Sequence, residues 1–169
     1  CLAAISVGLH LNVPHETLKE AIASFDGVSR RAEVLGEKNE KIIINDFAHH
    51  PIAIQETLNA LKQKFLMKQN KGRLIALFEP ASSSSKMKIM EKPILKALNI
   101  ADKAFIYKPS QQTNAKSFTK ASLGSKISVS QSIENLLFHL KHESKPGDII
   151  VMMSSKGFDG LKEKIWDYL

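Results

Sequence analysis

From Lys41 to the end of the chain, short apolar runs alternate with amphipathic stretches, and this alternation limits the fold more than any other feature. KIIIND (41–46), RLIALFE (73–79), KAFIYK (103–108), KISVS (126–130) and DIIVMM (148–153) read as strands. PIAIQETLNALKQKFL (51–66), SKMKIMEKPILKALNIA (85–101), QSIENLLFHLKH (131–142) and GFDGLKEKIWDYL (157–169) read as helices. RLIALFE and DIIVMM are almost wholly apolar, as strands covered on both faces must be. The order β-α-β-α-β-β-α-β-α predicts a doubly wound, mainly parallel sheet with helices on both faces. In such α/β folds ligands bind beyond the carboxyl ends of the strands.

The fold class is therefore α/β, Rossmann-like in its winding, with two additions before residue 41. CLAAISVGLHL and HETLKEAIASF read as two short helices, the second placing Leu18, Ile22 and Phe25 on one face. FDGVSRR (25–31) is a turn and a plausible hinge, so residues 1–24 are read as the helical tail of a preceding domain and 25–169 as a new one. AEVLGE (32–37) and KIIIND form a predicted hairpin across the turn at 38–40. In helix 51–66, Pro51 occupies the first turn, where its missing N–H costs nothing, and Ile54, Leu58, Leu61 and Phe65 form the buried stripe. Ile133, Leu136, Leu137 and Leu140 do the same in helix 131–142. Pro93 predicts a kink or break in helix 85–101. PSQQTNAKSFTKASLGS (109–125) is polar and loop-like.

Composition excludes several classes. No apolar run approaches the roughly 20 residues that span a bilayer. The first residues lack a basic n-region and an initiator Met, so they are not a signal peptide, and a piece of a longer polypeptide is expected. A single cysteine, Cys1, forms no internal disulfide, which suits a reducing cytoplasm. The formal net charge of +7 is read first as a lysine-rich surface. Its densest cluster, Lys62, Lys64, Lys68, Lys71 and Arg73, comes without a zinc spacing or an aromatic nucleic-acid motif, so a nucleic-acid-binding module is a weak alternative.

Three polar segments follow predicted strands. After KIIIND come Asp46, His49 and His50. Asp46 either caps the following helix or accepts hydrogen bonds from ribose hydroxyls. Adjacent histidines diverge and lack the i, i+4 spacing of a helical metal pair, so no metal site is expected. They are either nucleotide or peptide contacts or ordinary loop residues. After RLIALF comes EPASSSSK (79–86), either a flexible serine loop or a carboxylate-binding one with Lys86. After DIIVMM comes SSKGFDG (154–160), a glycine-bearing turn into a helix. The pair Arg30-Arg31 is either a solvated linker or the source of an arginine that stabilises a transferring phosphoryl group. No P-loop, GxGxxG, GxSxG or HExxH is present.

Taken in order, FDGVSRRAE, INDFAHHPIAIQETLNAL, RLIALFEP and VMMSSKGFDG resemble the C-terminal domain of the Mur ligases over essentially the whole chain. DFAHHP, EPxSxxxK and MSxxGFxG together are most similar to the branch that uses the tripeptide L-Ala-γ-D-Glu-meso-diaminopimelate in murein recycling. The alternative is the L-alanine-adding branch, which typically has Tyr-Gly at Phe47-Ala48 and Gln-Pro-His-Arg in place of EPAS. The resemblance implies an ATP-dependent ligase acting on UDP-N-acetylmuramate through an acyl phosphate. ATP and Mg2+ would be held mainly by upstream N-terminal and central domains of the same polypeptide. By match, Arg31 resembles the arginine that reaches the ATP phosphates. Asp46 resembles the acid that holds the ribose, with His49 and His50 near the nucleotide. Glu79, Ser82, Ser83 and Lys86, and Ser154, Ser155, Lys156 and Gly157, would face the incoming peptide. Ala81 departs from the pattern, which has an arginine there. The fragment alone is expected not to catalyse.

Overall fold

Pairing follows the apolar pattern. In the computed structural model, which describes residues 1–66, 72–109, 118 and 124–169, two helices come first, α1 (Leu2–His10) and α2 (His15–Ala23). A six-stranded sheet then takes in β1 (Glu33–Lys38), β2 (Lys41–Asp46), β3 (Leu74–Phe78), β4 (Lys103–Tyr107), β5 (Ile127–Ser130) and β6 (Ile149–Met153). Its order is β1-β2-β6-β3-β4-β5. β1 and β2 form the expected antiparallel hairpin, and every other pair is parallel.

Strand periodicity divides the core in two. Ile44, Ala76, Phe78, Val151 and Met153 point to one face, where they pack against Ile54, Leu58 and Leu61 of α3 (Pro51–Leu61) and Ile94 and Leu98 of α4 (Lys88–Leu98). Ile43, Ile75, Leu77, Ile150 and Met152 point to the other, where they meet α5 (Ile133–Glu143) and α6 (Leu161–Tyr168). Each fully buried branched or aromatic side chain contributes about 1.5–3 kcal/mol, so two such faces account for a sheet buried on both sides. Phe65 is partly buried beside the first of them, in a π-helical turn over Lys62–Leu66 that continues α3.

One expectation is corrected. α4 runs on through Pro93 rather than breaking. Pro93 is exposed, and the carbonyl that loses its bond belongs to Ile89, which is 75% exposed, so water replaces the missing donor. Leu18, Ile22 and Phe25 line one hollow, as their common face implies, and Ile22 is 38% and Phe25 56% exposed. α1 and α2 pack chiefly on each other, with Gly8 so close to Leu18 that a Cβ there would lie 2.5 Å from its Cδ2. Most of segment 109–125, and Lys68 and Lys71 of the basic cluster, lie outside the described residues.

Candidate functional site

The connections explain where a site forms. β2 and β3 are followed by helices on one face of the sheet, and β6, which lies between them, is followed by α6 on the other. Loops leaving in opposite directions from adjacent parallel strands open a crevice at their carboxyl ends. The three sequence-predicted loops meet there. The Ser154 amide donates to the Asp46 carbonyl at 3.2 Å, and the Glu79 amide to the Met153 carbonyl at 3.0 Å. Both bonds carry the ladders one residue past the strands.

Glu79 and Ser154 are 4% and 3% exposed, and the Ser154 hydroxyl donates to Glu79 Oε2 at 2.5 Å. The Lys156 amide donates to Ser154 Oγ at 2.9 Å, so the hydroxyl also shapes the loop that follows. The serine run is ordered by its own hydroxyls. Ser82 Oγ accepts from the Ser85 amide at 3.1 Å and donates to Ser85 Oγ at 2.9 Å. Ser85 Oγ in turn donates to the Ser82 carbonyl at 2.9 Å. This is a capped turn rather than a flexible loop. Ser83 stays exposed, Lys86 is half-buried, and Ala81 is buried at 3% exposure.

Asp46 is 4% exposed and binds its own protein. Oδ2 accepts from the Ala32 amide at 2.7 Å. Oδ1 accepts from the Ala48 amide at 2.7 Å and the Thr57 hydroxyl at 3.2 Å. Of the roughly four acceptor positions of a carboxylate, three are occupied. It does not cap α3, whose N-cap is His50. His49 Nδ1 lies 3.0 Å from the Phe47 carbonyl, and its ring meets the Phe47 ring edge-on at 5.2 Å. His50 is exposed. Among the described residues no three His, Cys, Asp or Glu side chains gather as metal ligands.

The arginine pair is split. Arg31 is exposed, and its guanidinium lies 5.5 Å from the Phe47 ring centre. Arg30 turns inward: Nη2 donates to the Ser154 carbonyl at 2.6 Å and the Lys156 carbonyl at 2.8 Å. Its backbone is held as well. The amide donates to Glu33 Oε2 at 2.9 Å, and the carbonyl accepts from the Phe47 amide at 2.8 Å. The Arg30 amide, more than any other partner, draws the Glu33 carboxyl below its ordinary value. The arginine end of FDGVSRR is thus fastened to the loops after β2 and β6.

Arg30, Ser154, Lys156, Gly157, Phe158 and Lys162 contribute to a cleft of about 220 Å3 at the end of β6. A larger hollow of about 730 Å3 runs along β5 from Phe118 to Asn135, and among the described residues no acidic, basic or imidazole side chain lines it. Two residues that sequence reasoning missed shape the far side of the crevice. Tyr107 donates to Asp159 Oδ2 at 2.5 Å and stacks on Phe158 at 5.8 Å. Burial, then the bond to Asp159, pushes the Tyr107 hydroxyl well above the usual phenol value. Their only signal was position: Tyr107 ends a strand, and Asp159 lies in the turn after another.

Comparison with known proteins agrees with this layout. Residues 30–156 match the family model described as "Mur ligase, glutamate ligase domain". The UDP-N-acetylmuramate--L-alanyl-gamma-D-glutamyl-meso-2,6-diaminoheptandioate ligase of Escherichia coli (strain K12) is 33% identical over 168 residues, covering 99% of this chain and 36% of its own. The UDP-N-acetylmuramate--L-alanine ligase of Geobacter sp. (strain M21) is 31% identical, over 91% of this chain and 34% of its own. The crystal structure of a murein peptide ligase from Psychrobacter arcticus 273-4 superposes with a TM-score of 0.70 at 32% identity, covering 88% of this chain and 32% of that one. The chain thus spans about a third of the relatives it matches. With the fold, the loops at the switch point and this coverage in agreement, the chain belongs to the Mur ligase family, as the C-terminal domain of such a ligase.

Proposed function

We propose that this chain is the closing, acceptor-binding domain of an ATP-dependent ligase that joins L-Ala-γ-D-Glu-meso-diaminopimelate to UDP-N-acetylmuramate, and that the 169 residues alone are inactive. One observation carries the reading: DFAHHP, EPASSSSK and MSSKGFDG converge on one sheet edge beside an exposed Arg31. Similarity to the tripeptide-adding enzyme over 99% of the chain favours that acceptor. Similarity to the L-alanine ligase is the basis of a second reading.

The residues present suit a share of a nucleotide site rather than the whole of one. No phosphate-cradling glycine loop exists in the chain. Arg31 is an exposed cation on a fastened backbone, suited to stabilising charge on a phosphoryl group that another domain presents. His50, exposed at the start of α3, suits a polar contact to the nucleotide. Asp46 orders the segments bearing both residues and keeps about one acceptor position for a ribose hydroxyl. When bound, ATP would supply activation of a carboxylate for attack by an amine. The Glu79–Ser154 pair and the Ser82–Lys86 turn form the wall that the incoming peptide meets.

The test uses the complete polypeptide. Phosphate release is followed with ATP and UDP-N-acetylmuramate plus either the tripeptide or free L-alanine. Release with the tripeptide only is expected, and Arg31→Ala is expected to lower kcat by roughly 10²–10³. Release with L-alanine only moves the assignment to the second reading. Ligation by the 169 residues alone overturns the division of labour.

A further inference from the structure

We infer that Arg30 is a positioning residue that ties the segment entering the domain to the β6–α6 loop, so that the loop facing the acceptor is set by the same turn that presents Arg31. The inference goes beyond the proposed function but rests on it for the identity of the acceptor.

Arg30 and Ala32 both adopt the left-handed region, at φ +59° and +47°, which is uncommon for residues with a Cβ. Such a backbone persists only where its surroundings over-determine it, and they do. Glu33 Oε2 holds the Arg30 amide, the Phe47 amide holds its carbonyl, and Asp46 Oδ2 holds the next amide but one, at Ala32. The turn aims one arginine inward and leaves the other exposed.

The inward guanidinium crosses 124 and 126 residues of sequence to the Ser154 and Lys156 carbonyls. From the other side, Lys156 donates its amide to Ser154 Oγ, whose hydroxyl reaches Glu79. One cation thus ties the first part of a loop whose far part is braced by the Tyr107–Asp159 bond and the buried Phe158. Its bonds go to neutral carbonyls, in a cleft that Lys156, Lys162 and Glu163 also line. Packing of the guanidinium over Phe47, 4.8 Å from the ring centre, keeps the stem in place.

Arg30→Met tests this, because it keeps the stem's length over Phe47 and removes every donor. In the complete polypeptide, KM for the tripeptide is expected to rise about tenfold, as loss of charge-assisted hydrogen bonds implies, while KM for ATP stays within about twofold. Arg30→Lys is expected to recover part of the loss. An unchanged tripeptide KM, or an equal rise for ATP, overturns the inference. A second arm is independent of the assigned reaction. In the 169-residue chain carrying Arg30→Met, the amides of Ser155, Lys156 and Gly157 are expected to exchange with deuterium about tenfold faster, while those of Ile150 and Val151 keep their rates. Unchanged loop exchange overturns the tether whatever the kinetics show. If the wild-type polypeptide releases phosphate with no acceptor, the proposed function fails and the exchange arm alone decides the tether.

Discussion

Asp46 shows how a single residue can be read correctly as special and incompletely as to why. An acid at the end of a buried strand was legible in IIINDFAHH as a functional or capping group. The three donors it takes were not, because Ala32 and Thr57 stand 14 and 11 residues away along the chain. Local hydrogen bonds leave a spacing in the sequence, and these leave none. Asp46→Ala is expected to destabilise the chain by about 2–3 kcal/mol, since it strands buried amides, and Asp46→Asn by less. The check is the urea midpoint of each variant at unchanged slope. The same distance effect hid Arg30, which sequence alone could not separate from Arg31.

At the scale of elements, every strand and α-helix among the described residues of the sheet domain was legible, because period-2 and period-3.6 burial are properties of neighbouring residues. The predicted stripe of α5 is fully buried, and Ser132 caps it by accepting from the Asn135 amide at 3.1 Å. The exceptions are local too. The predicted break at Pro93 is absent because the helix there faces water, which no single-residue rule includes. The turn after β6 holds Phe158 and Asp159 at positive φ, and the bond from Tyr107 braces it. Because the folded chain raises the Tyr107 value, the neutral phenol is favoured on folding. The stabilisation is complete below the ordinary value of 10.0 and is lost as pH rises towards the folded value. Urea midpoints measured from pH 9 to 11 should fall in the wild type, with a shallower fall in Tyr107→Phe.

Across the described residues, both cores are built from the sheet and its four covering helices, with α1 and α2 left out of them. Neither helix contributes a residue to either core. Deleting residues 1–24 is therefore expected to change the unfolding free energy of the remainder by less than about 1 kcal/mol. Matching urea curves for the two chains, with a smaller helical signal in the shorter one, would bear this out. A larger loss would mean that the pair supports the sheet. The apolar surface left on the pair, with Leu2 82%, Leu11 68% and Phe25 56% exposed, fits its reading as the tail of a preceding domain.

Sequence by itself determined the α/β class, the hairpin, the two-sided burial of the central strands and the three loops that carry polar chemistry. All of these follow from the alternation of apolar and polar residues over a few positions. Only the tertiary structure decided that β6 inserts between β2 and β3, that the Ser154 hydroxyl donates to Glu79, and that Arg30 reaches the Ser154 and Lys156 carbonyls while Arg31 stays exposed. Strand order is set by crossovers that bring residues over a hundred positions apart within 3 Å, and no short-range pattern in the chain records such a distance.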